Sequence, residues 1–214
     1  MPLLGWQATA RLLRNAGIEL ARTVLVRSKN EAARAAVELG WPVVLKASSP
    51  DLAHKAKLGL VRTTIAGEPE LSEAWRALEL ALKAARKKQR IRLEGFLVQR
   101  QHTGTELFLG MRRDKQFGPV ISFGFGGLFV ELFDDVAFRI APVSKEDAVA
   151  MAAETKSWAL VAGRREAIER MSSLIVALSK LAMVNEKLIE IDLNPVILEA
   201  KDAIVVDAKV VASA

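Results

Sequence analysis

Two stretches far apart in the chain carry residues able to do chemistry together: Lys46-Ala47-Ser48-Ser49-Pro50-Asp51-Leu52-Ala53-His54-Lys55 and Asp192-Leu193-Asn194-Pro195. Lys46 closes the apolar run Pro42-Val43-Val44-Leu45. A lysine held at a strand end can present its ammonium to an anion, and it can equally cap the strand in solvent. His54 follows a Ser-Pro-Asp turn, because the residue before a proline is driven out of the helical region and the imidazole is left on a loop. A neutral imidazole attacks a phosphoryl group at neutral pH. The same loop histidine would also serve as an ordinary hydrogen-bonding side chain, which is the reading given to the other histidine, His102.

On the run Ile189 to Leu198, strand alternation points Glu190, Asp192 and Asn194 to one face, with Ile189, Ile191 and Leu193 on the other. A returning antiparallel strand over Ala203–Ala208 would bring Asp207 near Asn194. One Asn and one or two carboxylates are the oxygen donors that Mg²⁺ takes when phosphates and water complete its shell. A solvent-facing polar edge is the other reading. The cluster Phe123-Gly124-Phe125-Gly126-Gly127 could gather main-chain N–H groups into an anion-binding nest, or make a bulge between strands. It matches neither common phosphate fingerprint: no Lys-Ser/Thr pair follows, and the dinucleotide spacing would need glycine at Phe129.

The elements that position these groups follow from periodicity. Gln7–Asn15 and Ser28–Leu39 read as amphipathic helices ended by Gly17 and Gly40. Glu68–Lys88 reads as a longer helix with Trp75, Leu78 and Leu82 on one core-facing stripe. Strands dominate from Leu93 to Ile140, helices return at Lys145–Glu154 and Arg165–Val184, and a pair of strands closes the chain. This order predicts an α+β fold with antiparallel sheets in two lobes and a nucleotide cleft between them. The predicted division runs 1–98, a helical start with the first lobe, and 99–214, a second lobe with the glycine cluster and the metal residues.

Composition sets bounds. The chain has 214 residues and no cysteine, so disulfides and thiolate metal sites are excluded. A net charge of +6 raises nucleic-acid binding, but the basic residues are scattered. Their one run, Arg86-Lys87-Lys88-Gln89-Arg90, ends a helix where cations are favoured by the dipole. No nucleic-acid partner is expected. The longest apolar stretches are strand-length and no signal-peptide pattern opens the sequence, which points to a cytoplasmic protein with no membrane partner.

In this order the motifs resemble the ATP-grasp (beta) subunit of ADP-forming acyl-CoA synthetases, relatives of succinyl-CoA synthetase. The resemblance rests on Gly40 to Lys46, Ser49 to Lys55, Leu97-Val98-Gln99, Glu106 to Asp114, Gln116 to Val120, the FGFGG segment to Glu131, Phe138 to Pro142 and Glu190 to Val196, and it runs from about residue 7 to 210. It implies an ATP-grasp fold, ATP/ADP and Mg²⁺ as cofactors, and transfer of a phosphoryl group between ADP/ATP and a phosphohistidine, coupling acyl-CoA to ATP. By the same resemblance Lys46 contacts phosphates, Gln99 lies on the strand that reads adenine, Glu106 sits near the ribose, and Gly124, Gly126 and Gly127 line the nucleotide. His54 is the phosphorylated residue, Arg139 clamps phosphoryl oxygens, Asn194 and Asp207 hold Mg²⁺, and Asp192 is the acid beside that metal or beside the phosphohistidine. The implied partner is a CoA-binding alpha subunit or fused domain, in a hetero-oligomer or dimer, since no Gly-rich βαβ unit for CoA is present. The alternatives are another ATP-grasp carboxylate ligase and a non-catalytic nucleotide-binding scaffold or regulatory domain. The chain departs from the family pattern at Lys57, where an acid is common, at Leu60 within Leu58-Gly59-Leu60-Val61 in place of Val-Gly-Gly-Val, and at Arg100, where glutamate is frequent.

Overall fold

The computed structural model describes residues 3–52, 55–126, 135–156, 158–161 and 163–213. They form two compact units, residues 21–101 and residues 3–20 with 102–213. Each contains one antiparallel sheet with helices against it, an α+β architecture as expected from the sequence.

The unit 21–101 runs β1 (Thr23–Val26), α1 (Lys29–Leu39), β2 (Val43–Ser48), β3 (Val61–Ile65), α2 (Glu68–Arg86) and β4 (Gly95–Arg100), with sheet order β1-β4-β2-β3. Ser28 starts α1: its hydroxyl accepts from the Glu31 N–H at 3.3 Å, while the Glu31 carboxylate accepts from Arg27 N–H at 2.8 Å. Gly40, at φ 80°, ends it in a conformation costly for other residues. In α2, Leu71, Ala74, Trp75, Leu78, Leu82 and Ala85 are buried at three- and four-residue spacing. They pack with Val26, Val43, Leu45, Phe96 and Val98, and the Trp75 and Phe96 rings lie 4.6 Å apart.

The other unit runs β5 (Thr105–Asp114), β6 (Gly118–Phe125), β7 (Val136–Ile140), β8 (Leu188–Leu198), β9 (Ala203–Val205) and β10 (Ala208–Ala212), in order β10-β8-β5-β6-β7 with β9 beside β8. Its helices are α3 (Trp6–Asn15), α4 (Lys145–Ala153), the short α5 (Trp158–Val161) and α6 (Arg165–Val184). One face of this sheet is apolar and carries Leu109, Met111, Ile121, Ile191, Leu193 and Val210, packed with Met171, Ile175 and Leu178 of α6. Ser144 and Asp147 form a capping box at the start of α4. At the end of α6, the Arg113 guanidinium donates to the carbonyls of Ala182 at 2.7 Å, Asn185 at 3.1 Å and Leu188 at 2.9 Å. Ala182 is in the last turn of the helix, where carbonyls lack an intrahelical donor, and Leu188 opens β8, so the arginine fastens the helix end to the sheet.

Three features differ from the sequence reading. The helical start does not belong with the first lobe: Leu13 and Ile18 lie in the core of the unit that contains 102–213, and Leu4 N–H donates to Val210 at 2.9 Å. The unit boundary therefore falls after Gln101, not at Val98/Gln99. The strand holding Lys46 continues to Ser48, so the lysine is inside a strand, and β1 and β3 are additional strands too short to show an alternation. Finally, Phe123, Gly124 and Phe125 are part of β6 and not of a loop.

Candidate functional site

In the sheet of residues 21–101, β4 is central, and one row of its register reads Thr23, Gln99, Val44. Val43 and Leu45 turn toward the helices, so Lys46 and Gln99 share the opposite face. Lys46 is 4% exposed and Gln99 2%. Burying an ammonium is costly unless it is hydrogen-bonded. The Lys46 Nζ donates to Gln99 Oε1 at 3.2 Å, Gln99 Nε2 donates to Thr23 Oγ1 at 2.8 Å, and the Thr23 hydroxyl donates to the Ala21 carbonyl at 2.7 Å. The donors run in one direction, so the threonine fixes the amide with its oxygen toward the lysine. The Gln99 side chain thus acts on Lys46. Its main chain lies within the ladder, since Gln101 N–H donates to Pro42 O at 3.1 Å and the same register sets Gln99 against Val44.

The segment after β2 is fastened at both ends. Ser49 Oγ accepts from Asp51 N–H at 3.1 Å, and the Asp51 carboxylate takes the Arg92 N–H at 2.7 Å and Nη2 at 2.7 Å. The Arg92 guanidinium, then its main-chain N–H, hold the Asp51 carboxyl down to about 2. Leu52 is buried, and so is Leu60, whose side chain fills the core where the family pattern has glycine. His54, the residue expected to carry the phosphoryl group, lies outside the described residues, as does Gly127.

In the other unit, the alternation expected of β8 is found. Asp192 stands in a row that reads Lys209, Asp192, Gly110, Ser122, Phe138 across five strands. Asn194 follows two residues on, and its N–H donates to the Asp207 carbonyl at 3.1 Å. Asp192, Asn194 and Asp207 are half-buried, and Glu190 is exposed. Lys209, which the sequence reading missed, puts its Nζ 3.2 Å from Asp192 Oδ2. Only the β10–β8 register makes it the neighbour of Asp192. An amide and a carboxylate are hard oxygen donors, so Asn194 and Asp207 fit Mg²⁺ as the pair that leaves the remaining positions to phosphate and water.

Other expected residues are placed elsewhere. Arg139 belongs to the row Val210, Ile191, Met111, Ile121, Arg139 on the apolar face, and its guanidinium pairs with Glu154 at the end of α4. It is not on the face of Asp192, and it ties β7 to a helix. Glu106 is exposed on β5, and its carbonyl accepts from Gly126 N–H at 2.9 Å. That N–H is therefore spent within the sheet. A Cβ at Gly124 would meet the Asp135 carbonyl, and one at Gly126 the Leu107 carbonyl. Close strand approach is what these two glycines serve here, in place of the expected anion nest. His102 pairs with Glu199 at 2.9 Å, in keeping with a structural role.

The chain matches the model of the ATP-grasp domain family over residues 2–212. It is 38% identical over 205 residues to the beta subunit of acetate–CoA ligase [ADP-forming] I of Pyrococcus furiosus, covering 94% of this chain and 88% of that protein. It is 39% identical over 200 residues to acetate–CoA ligase [ADP-forming] I of Archaeoglobus fulgidus, covering 91% of this chain but only 29% of that longer one. Among solved structures, the dinucleotide-forming acetyl-coenzyme A synthetase 1 of Candidatus Korarchaeum cryptofilum, in complex with coenzyme A and Ca-AMPCP, superposes with a TM-score of 0.91 at 37% identity, covering 99% of this chain and 94% of that one. The same synthetase with coenzyme A and Mg-AMPPCP, its phosphohistidine segment pointing towards the nucleotide binding site, superposes with a TM-score of 0.82 at 34% identity, covering 99% of this chain and 93% of that one. The two sheets, the order of the motifs and these similarities together identify the chain as a member of the ATP-grasp family, in the group that includes the beta subunits of ADP-forming acetate–CoA ligases.

Proposed function

We propose that this chain is the nucleotide half of an ADP-forming acyl-CoA synthetase, moving a phosphoryl group between ATP and His54. The observation that carries the reading is that Asp192 and Asn194 stand two apart on β8 with Asp207 joined to Asn194 through the main chain, in a chain 38% identical to a ligase beta subunit. Asn194 and Asp207 hold Mg²⁺. Bound there, the cation neutralises charge on the phosphates. Lys46, aimed by Gln99, contacts phosphate oxygens, and Glu106 lies near the ribose. The His54 imidazole attacks the terminal phosphorus: a P–N bond forms, the bridging P–O bond breaks, and ADP leaves. Asp192 accepts a hydrogen bond from the phosphorylated imidazole and keeps it oriented.

The second half-reaction needs a CoA site. The longer relative of which this chain spans 29% has room for one, and the relative it nearly fills is a beta subunit. A CoA-binding alpha subunit or fused domain is accordingly the proposed partner, in a hetero-oligomer, with the acyl acid bound there. Among the described residues no helix is long and apolar enough to cross a membrane.

The test is to assay the purified chain with ATP, Mg²⁺, CoA and a panel of short and aromatic acids, following ADP release. The chain alone should bind nucleotide without CoA-dependent turnover, and turnover should appear when the partner is added. Acyl-CoA formation by this chain alone would overturn the division of labour.

A further inference from the structure

We propose that Lys209 is a second phosphate-binding cation, one that takes an oxygen of the metal-bound phosphate chain while Asp192 holds its ammonium in place; this rests on the reading of Asn194 and Asp207 as the metal pair. Two successive rungs bring four residues together into a square. Lys209 stands opposite Asp192 in the β10–β8 register, and the next rung sets Asp207 against Asn194. Opposite residues on one face are about 4.5–5.5 Å apart at Cβ, and residues two apart along a strand about 7 Å. Lys209 is thus the cation nearest to that pair on its own strand.

The ammonium has three N–H donors. One meets Asp192 Oδ2 at 3.2 Å, and among the described residues that carboxylate is its one hydrogen-bonding partner. The Lys209 side chain is 27% exposed, so a ligand in solvent can reach it. A half-exposed cross-strand ion pair contributes little to stability, of the order of a few tenths of a kcal/mol. Charge gives the arrangement a purpose. Without Lys209, the square carries two carboxylates and no cation, a surface that repels a nucleotide's phosphates. With it, one carboxylate is balanced at the position where the polyanion must approach. The long lysine stem is held by Asp192, so part of the ordering cost of binding an oxygen is met before the ligand arrives.

The experiment is calorimetric titration of the full chain with Mg-AMPPCP, a non-transferring nucleotide, for wild type, Lys209→Met and Lys209→Arg, with adenosine as a competitor that lacks phosphates. Thermal melting confirms that each variant folds, and Lys209→Gln replaces the methionine variant if that does not. The proposal expects Mg-AMPPCP affinity to fall roughly tenfold or more in Lys209→Met or Lys209→Gln and to recover in part in Lys209→Arg, while adenosine affinity is unchanged. A folded Lys209→Met that binds Mg-AMPPCP as wild type does would overturn it. Failure of wild type itself to bind Mg-AMPPCP would instead overturn the nucleotide reading beneath it.

Discussion

Lys46 donates from its buried Nζ to Gln99 Oε1 across 3.2 Å, and this one contact joins two strands through a directed chain that ends at Thr23 and the Ala21 carbonyl. A lysine tethered in this way is oriented before any phosphate arrives. The tether predicts a graded series. Lys46→Met should remove a charge-assisted contact worth about 2–3 kcal/mol, on the order of a hundredfold in the rate of phosphoryl transfer. Thr23→Val should cost less, because the lysine stays while the amide loses its fixed orientation, and Thr23→Ser should restore it. Rates for the three variants in one assay check the order; a Thr23→Val rate as low as that of Lys46→Met would contradict it.

The cation pair makes a separate claim. Asp207→Asn should raise the Mg²⁺ concentration needed for half-maximal nucleotide binding while leaving the fold intact, since a neutral amide is a weaker ligand than a carboxylate. Titrating Mg²⁺ against a fixed nucleotide concentration reads this directly. An unchanged midpoint would remove Asp207 from the metal site.

Arg139 should behave as a structural residue. Its guanidinium is on the apolar side of the sheet and pairs with Glu154, which holds the Glu154 carboxyl below its usual range. Arg139→Met should therefore lower the melting temperature and leave nucleotide affinity unchanged. A variant of normal stability that had lost affinity would return Arg139 to the phosphoryl group.

The Asp51–Arg92 pair gives a pH signature. The folded-state pKa of Asp51 is lowered from 3.8 to about 2, so its stabilising effect is fully present above 3.8 and is lost as the pH falls through about 2. Asp51→Asn should melt below wild type at neutral pH, and the gap should close as the pH is lowered across that window. The side chains are partly exposed, so the gap should also shrink in high salt. A gap that is constant with pH would mean that the carboxylate charge is not what holds this turn.

How much of this was legible in the sequence depended on the length of the signal. The helices at Lys29–Leu39, Glu68–Arg86 and Arg165–Val184 show an apolar stripe over three or more turns, and their caps are readable at Ser28 and Gly40. Alternation along Leu188–Leu198 likewise gave Asp192 and Asn194 one face, and the return strand brought Asp207 beside Asn194. Four-residue β1 has too few positions to show a period. Arg139 was assigned by resemblance alone; alternation gives two faces but not which of them meets the helices, and its buried neighbour across the ladder, Ile121, sets it on the apolar one. Gly124 and Gly126 could not be settled between nest and strand because loop freedom and close strand packing both select glycine. Lys209 was missed because its meaning depends on Asp192, seventeen residues earlier and opposite it only once the register is known.

The central claim is that His54 takes the terminal phosphoryl group of ATP, and intact mass after incubation with Mg-ATP tests it most directly. The account predicts one phosphoryl adduct on the wild-type chain, labile in acid and stable in base as a phosphoramidate is, and none on His54→Ala. Equal labelling of wild type and His54→Ala, or an adduct that survives acid, would contradict it.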